Sequence, residues 1–249
     1  PEETEIQVIF DQPNEFWAAL SLVGAWSESN EHDVALVERV SGCAYPDIRL
    51  NLLYALNRSE SWMSFANGVW KMRNQNSMIN MCAGYFTDRI IIAAFEAEKE
   101  FLTQRSSWIL ENGECSFCMP IGGEFSNSTA IRRGLTRGLC MICNNKGRLP
   151  ACSDNVVVSN CISFIRELFN DCDTLRLLSL HELLNPIAEM DPGTYLAELE
   201  KLIVRSPEVI SALFRRSQRN RAYIPEFDFG LVNSLQLLAW SEKHLPQSL

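Results

Sequence analysis

The sequence predicts a mainly α-helical protein, an irregular helical bundle with a zinc-binding four-cysteine insertion between two helical halves. Two observations carry this prediction. Apolar residues recur with a period of 3.6 along most of the 249 residues, whereas the sustained period-two alternation that indicates strands is nearly absent. Between residues 114 and 152 the helical pattern gives way to five cysteines, five glycines and few aliphatic residues.

The N-terminal half, residues 1–113, is predicted to contain five helices. Pro13 is a start signal for the first of them. The second and third form a helical hairpin across Cys43 to Tyr45. The fifth has Asp88 as its N-terminal cap and Gly113 after its end. The predicted ranges are 14–26, 32–42, 46–56, 61–73 and 87–111.

The C-terminal half, residues 153–249, repeats the helical pattern after the cysteine-rich segment 114–152. Prolines separate its apolar stretches, as expected where helices start or break. The two helical halves are separate regions in this scheme, or they share one continuous core. The predicted helices span 153–169, 174–184, 193–204, 207–216 and 229–243.

Two Cys-x-x-Cys pairs in the insertion predict a structural zinc site. Cys115 and Cys118 form the first pair, Cys140 and Cys143 form the second, and 21 residues separate them. We expect each pair to place two thiolates on one tight turn, since structural zinc is bound tetrahedrally by four such ligands. In a segment with few core-forming side chains, the metal would supply the folding free energy that hydrophobic burial does not. Zinc is therefore the expected cofactor.

Other interpretations of the cysteines stay open. Cys152 follows Cys143 after eight intervening residues, so its thiolate, or the imidazole of His181, could replace one of the four ligands. Redox-active pairs would need a strand-to-helix context that the sequence does not predict, and incidental burial is a further alternative. The nine cysteines are an odd number, which favours a reducing compartment over a disulfide framework.

The cysteine pairs belong to a longer ordered pattern. It runs Cys115-x-x-Cys118, Gly122-Gly123-Glu124-Phe125, Gly138-Leu139-Cys140-x-x-Cys143 and Ala151-Cys152-Ser153. This pattern resembles a short cysteine-cluster domain that is frequent in fungal proteins of unknown function. That domain has a further cysteine after its Gly-x-Phe step, where this chain has Ser126, Asn127 and Ser128. The resemblance implies no particular activity.

Charge is distributed unevenly along the chain. The net charge of −9 argues against a protein whose whole surface binds phosphate. Residues 131–149 and 214–223 nevertheless contain basic residues and no acidic ones, and would form a basic patch beside the zinc if they meet in space. Alternatively, each run is a solvated face or pairs with acidic helices of the same chain. The candidate partner-binding residues are Arg132, Arg133, Arg137, Lys146, Arg148, Arg215, Arg216 and Arg219.

The sequence contains no recognisable catalytic constellation. His32, His181 and His244 are its three histidines, and none falls in a metalloprotease or triad motif. Asp228-Phe229-Gly230 spells the metal-binding triplet of kinases, but no phosphate-covering glycine loop precedes it. No apolar stretch reaches the roughly 20 residues of a membrane-spanning helix. We therefore expect neither an enzyme nor a small-molecule substrate, and no membrane partner.

The function that these patterns favour is that of a non-enzymatic, zinc-stabilised helical adaptor or assembly subunit. Its expected partner is another macromolecule, most simply a protein. The alternative is a zinc-finger-like regulator that binds nucleic acid, or acts in transcription, through the basic patch. Either function predicts an intracellular location, in the nucleus or the cytoplasm, and no signal peptide is predicted.

Overall fold

A computed structural model describes residues 12–57, 61–104, 125–145, 149–213 and 227–239. Helices dominate these residues, as predicted, and a three-stranded antiparallel sheet accompanies them. The chain divides into two compact units, one formed by residues 1–98 and 127–160 and the other by residues 99–126 and 161–249. This division differs from the three consecutive regions predicted from the sequence, since residues 127–160 join the N-terminal helices.

The first unit begins with alternating helices and strands. These elements are α1 Glu15–Val23, β1 Ala25–Ser27, α2 Glu31–Ser41, α3 Tyr45–Leu56, β2 Met63–Ala66 and β3 Val69–Met72. The side chain of Asn14 caps α1 by accepting a hydrogen bond from the Trp17 backbone N–H at 3.1 Å. Gly24, with φ of +75°, ends the helix. α1 is therefore shorter than predicted, and Trp26 lies in a strand.

The predicted helix over residues 61–73 is wrong, because this segment forms the hairpin of β2 and β3. Its two-residue loop is Asn67-Gly68, with φ of +52° and +75°, and a type I′ turn requires positive φ at both positions. β3 lies at the centre of the sheet, between β1 and β2. Trp26 of β1 pairs with Trp70 of β3, and both side chains are fully buried. The sheet thus contributes two of the largest side chains in the core.

α2 and α3 form the helical hairpin that the sequence predicts. The side chain of Asn30 caps α2 by accepting hydrogen bonds from two backbone N–H groups of its first turn. A three-residue turn then begins at Gly42, whose φ of +73° favours glycine. The guanidinium of Arg89 donates to the carbonyls of Val40 and Ser41 at 3.2 and 3.1 Å. Arg89 therefore satisfies two carbonyls at the end of α2, which otherwise have no helical partner.

Three further helices follow. They are α4 Gln75–Met81, followed by a 3-10 turn at Ala83–Tyr85, α5 Asp88–Thr103 and α6 Thr129–Asn144. Of these, α5 passes from the first unit into the second at residue 99. α6 lies inside the segment 114–152, for which the sequence predicts few core-forming side chains. That expectation is wrong for residues 129–144, because Ile131, Leu135, Leu139 and Ile142 are fully buried along one side of a 16-residue helix. The predicted end of α5 at residue 111 lies outside the described residues.

Two glycines let α6 pack directly against the backbone of α1 and β1. A Cβ atom on Gly134 would lie 2.4 Å from the Val23 carbonyl oxygen, and one on Gly138 would lie 2.1 Å from that of Leu22. Only glycine allows an approach this close. Gln75 of α4 joins the same contact, since its Nε2 donates to the Gly134 carbonyl at 2.9 Å.

The second unit is helical within its described residues. α7 Val156–Phe169 enters it at residue 161, and it continues with α8 Thr174–Ser179, α9 Leu184–Met190, α10 Pro192–Arg205, α11 Pro207–Leu213 and α12 Phe227–Ala239. The helix predicted over residues 174–184 ends early, at Ser179, and turns precede α9. The hydroxyl groups of Tyr195 and Ser234 lie 3.0 Å apart and join α10 to α12 in the interior.

Gly138→Ala is expected to destabilise the chain, because the new methyl group would overlap the Leu22 carbonyl oxygen. Overpacking of this kind costs about 1–3 kcal/mol. Urea denaturation followed by circular dichroism measures the change in the free energy of unfolding. Gly84→Ala is the matched control, since among the described residues nothing beyond its chain neighbours lies within 4 Å of a Cβ there. Equal stability of the two variants would contradict the close packing of α6 on α1.

Candidate functional site

The second cysteine pair of the predicted zinc site lies within α6. The expected tight turn is wrong for this pair, because the helix continues through both residues. Helical spacing puts Cys140 and Cys143 on the same side of α6, and they are buried, at 6% and 3% exposure. The side-chain amide of Asn144 donates to Cys140 Sγ at 3.6 Å. The helix therefore holds two thiols side by side, an arrangement that fits two ligands of one metal ion.

The first cysteine pair, Cys115 and Cys118, lies outside the described residues. Within the ranges that the structure describes, no group of three or more His, Cys, Asp or Glu side chains could hold a metal ion. The four-cysteine set therefore stays a prediction, of which α6 supplies two members.

The two alternative ligands have protein partners of their own. Cys152 donates its thiol hydrogen to the Phe86 carbonyl at 3.1 Å. Burial and the nearby charge of Asp88 raise the pKa of this thiol, which disfavours the thiolate that zinc requires. His181 Nδ1 lies 2.9 Å from the Leu178 carbonyl oxygen. Whether either residue replaces a cysteine of the predicted set stays open.

The candidate basic residues of α6 separate into one buried and two exposed side chains. Arg132 is only 4% exposed, so its assignment to a surface patch is wrong. Arg133 and Arg137 are exposed, and their spacing of four residues puts them on one face of the helix. The other candidates, Lys146, Arg148, Arg215, Arg216 and Arg219, lie outside the described residues.

A buried carboxyl group lies beside Arg132. Glu98 of α5 is 1% exposed, and its Oε1 is 2.6 Å from the hydroxyl of Thr136. That hydroxyl also lies 2.7 Å from the Arg132 carbonyl oxygen. Burial raises the pKa of Glu98 to about 8, although the hydrogen bond with Thr136 and the charge of Arg132 act in the opposite direction. Desolvation is the larger effect, so Glu98 is mostly protonated at neutral pH.

Asp33 of α2 connects the helical hairpin to the start of α6. Its buried carboxylate accepts hydrogen bonds from the backbone N–H groups of Ser27 and Ser128, each at 2.9 Å, and from the side-chain amide of Asn127 at 3.3 Å. The hydroxyl of Ser128, the N-terminal cap of α6, is a fourth donor. These contacts satisfy a charge whose burial would otherwise be costly.

α3 carries apolar side chains on two opposite faces. Ile48 and Leu52 are fully buried, whereas Leu50, Leu53 and Tyr54 are exposed at 53%, 37% and 56%. The exposed side chains are adjacent, since they are three and four residues apart on a helix. We call Leu50, Leu53 and Tyr54 the α3 stripe; contiguous apolar surface of this kind marks interaction sites.

The first unit opens with the element order α1–β1–α2–α3–β2–β3, in which β3 is the central strand of the sheet. No family model, curated protein sequence or solved structure matches this chain. The resemblance to the fungal cysteine cluster therefore stays a prediction.

A cavity of about 500 Å³ lies between α7 and α10 of the second unit. Glu198 Oε1 in its lining lies 3.7 Å from Arg166 Nε and 2.8 Å from Lys201 Nζ. Arg205 donates to the Phe169 carbonyl at 2.9 Å. The lining contains neither histidine nor cysteine, and Arg166 and Lys201 both pair with Glu198.

None of the described helices combines the length and the apolar character that a membrane-spanning helix requires.

Glu98→Gln is expected to make the stability of the chain less dependent on pH. The folded state binds more protons than the unfolded state between the ordinary pKa of 4.5 and the raised pKa of about 8. The free energy of unfolding of the wild type therefore falls as pH rises through this window. Each pKa unit corresponds to about 1.4 kcal/mol, and the amide of the variant does not titrate. Urea denaturation at several pH values between about 5 and 8 measures the slope.

Glu96→Gln is the control for this experiment, because Glu96 is exposed on the same helix. This variant should keep the slope of the wild type. If the slope survives in Glu98→Gln as well, Glu98 does not hold a proton in the folded state and the buried cluster has been misassigned.

Proposed function

We propose that this chain is a non-enzymatic helical adaptor or assembly subunit, stabilised by a structural zinc ion, that binds another macromolecule through the α3 stripe. The observation that carries the proposal is the exposure of Leu50, Leu53 and Tyr54 on a helix whose other face lies in the core. A partner that covers this stripe gains about 25 cal/mol for each Å² of apolar surface removed from water. Binding, rather than chemistry, is the use that such a surface supports.

The first turn of α3 is anchored by side chains of two neighbouring elements. The backbone N–H of Tyr45 donates to Glu38 Oε1 at 2.6 Å. The hydroxyl of Tyr45 accepts a hydrogen bond from Trp26 Nε1 at 3.1 Å. The start of α3 is thereby fixed to α2 and β1. A surface that is ordered before binding loses less conformational entropy on association, which supports a docking role for α3.

The zinc part of the proposal rests on the two cysteine pairs. Cys140 and Cys143 would supply two ligands from α6, and Cys115 and Cys118 would supply the other two. Four sulfur ligands give the closed coordination of structural zinc sites, without a position for a catalytic water. The burial of the α6 thiols on one side of the helix supports this assignment. The ion would fix residues 115–118 beside α6.

A nucleic-acid-binding or transcription-linked regulator is the second candidate function. It is favoured by Arg133 and Arg137, which are exposed about one turn apart on α6. Phosphate contacts by arginine contribute a salt-dependent affinity. The burial of Arg132 removes one of the predicted cations, and the net charge of −9 opposes approach to a polyanion. We therefore prefer the adaptor.

Wild-type protein purified without chelator is expected to contain one zinc ion per chain. The variant Cys140→Ser with Cys143→Ser should lose it, since two of four ligands are removed. Inductively coupled plasma mass spectrometry measures the metal content. Cys161→Ser is the matched control, because Cys161 is equally buried, at 2% exposure, and lies outside the predicted ligand set. Metal-free wild type, or equal zinc in all three proteins, would remove zinc from the proposal.

The variant Leu53→Ser with Tyr54→Ser is expected to lose the proteins that co-purify with the full-length chain from its source organism. Folding should be retained, because both side chains are exposed in the free chain. Quantitative mass spectrometry compares the variant with the wild type and with Ile203→Ser plus Val204→Ser. This control removes apolar side chains that are exposed at 45% and 80% on α10.

An unchanged set of partners after the α3 substitutions would contradict the adaptor proposal. Salt-dependent oligonucleotide binding that is lost in Arg133→Glu with Arg137→Glu would instead support the nucleic-acid regulator.

A further inference from the structure

The charges beside the α3 stripe restrict the kind of partner that it can accept. Asp47 is exposed and precedes Leu50 by three residues, so it lies at the N-terminal end of the stripe. Arg49 is the single basic residue of α3, and its Nε lies 2.5 Å from Glu28 Oε1. The Arg49 guanidinium is thus paired with Glu28, an acidic residue of the same unit. The face that α3 presents is apolar with an acidic end.

The segment that contains α1, α2 and α3 is also acidic as a whole. Residues 12–57 contain two basic residues, Arg39 and Arg49, against six acidic ones, which gives a net charge of −4 with His32 neutral. Nucleic acid is bound by neutralising its phosphates with lysine and arginine. An acidic segment repels such a ligand and attracts a basic one. The six acidic residues are Glu15, Glu28, Glu31, Asp33, Glu38 and Asp47.

We propose that the α3 stripe binds the apolar face of a basic amphipathic helix in a protein partner. This inference rests on the proposed adaptor function and names the chemistry of the partner. Two helices pack by inserting the side-chain ridges of one into the grooves of the other, and such contacts use anchors three and four residues apart, the spacing of Leu50, Leu53 and Tyr54. Lysine or arginine at the edge of the partner's apolar face pairs with Asp47.

Two fluorescent amphipathic peptides with the same leucine face test this inference, one with lysines and one with glutamates on its polar face. Fluorescence anisotropy with the full-length chain should show that the lysine peptide binds about tenfold more tightly or better. Leu53→Ser with Tyr54→Ser should weaken its binding by about tenfold or more. Asp47→Lys should reduce the preference for the lysine peptide. Ile203→Ser with Val204→Ser should change nothing, and circular dichroism checks that each variant is folded.

Each contrary outcome has a distinct meaning. Equal affinity for the two peptides, or no effect of Asp47→Lys, would overturn the basic partner, whereas loss of co-purifying proteins in the α3 variant would still support the adaptor. If the lysine peptide still binds the variant Leu53→Ser with Tyr54→Ser, the binding is general electrostatic attraction. That result would contradict the α3 stripe as the binding site. Binding of a DNA duplex that is lost in Arg49→Glu would overturn the inference in favour of nucleic acid.

Discussion

The arrangement of the first unit depends on the hydrogen bonds that the buried carboxylate of Asp33 accepts. This carboxylate joins β1, α2 and the cap of α6, although Ser128 lies 95 residues further along the chain. Removing any of its hydrogen-bond donors would leave a buried acceptor of this charged group unsatisfied. This contact and the two glycines of α6 fix how the helix is rotated about its axis. The rotation determines which α6 side chains face the interior. Arg132 then lies beside Glu98, whereas Arg133 faces the solvent.

Most helices of this chain could be predicted from apolar periodicity, because long amphipathic segments such as α5, α7 and α10 repeat the pattern over several turns. The hairpin of β2 and β3 could not be found in the same way. Each strand has four residues, too few to separate a period of two from a period of 3.6. Asn67-Gly68 was the available signal, since this dipeptide between apolar runs is typical of a tight hairpin turn. Helical spacing of Trp62, Phe65 and Val69 concealed it.

The candidate site was predictable in its chemistry more than in its geometry. The spacing of Cys140 and Cys143 indicates paired thiols, but whether the pair lies on a turn or in a helix depends on how residues 129–144 pack. The α3 stripe had no sequence signal of its own, because Leu50 and Leu52 are both leucines in one apolar helix. Leu50 is 53% exposed, whereas Leu52 is fully buried. This difference follows from where the sheet and α2 lie. Tertiary contact, which a local pattern does not contain, makes that distinction.

The contact between Arg89 and the end of α2 makes the first six elements depend on a later part of the chain. The carbonyls of Val40 and Ser41 receive their donor from a residue 49 and 48 positions further along the chain, beyond the last strand of the sheet. A fragment cut after β3 would keep α1, α2, α3 and the three strands but would lose Arg89 and Ser128, which donate hydrogen bonds to α2. The six elements thus depend on donors that come later in the chain, and a boundary placed after the sheet would sever those contacts.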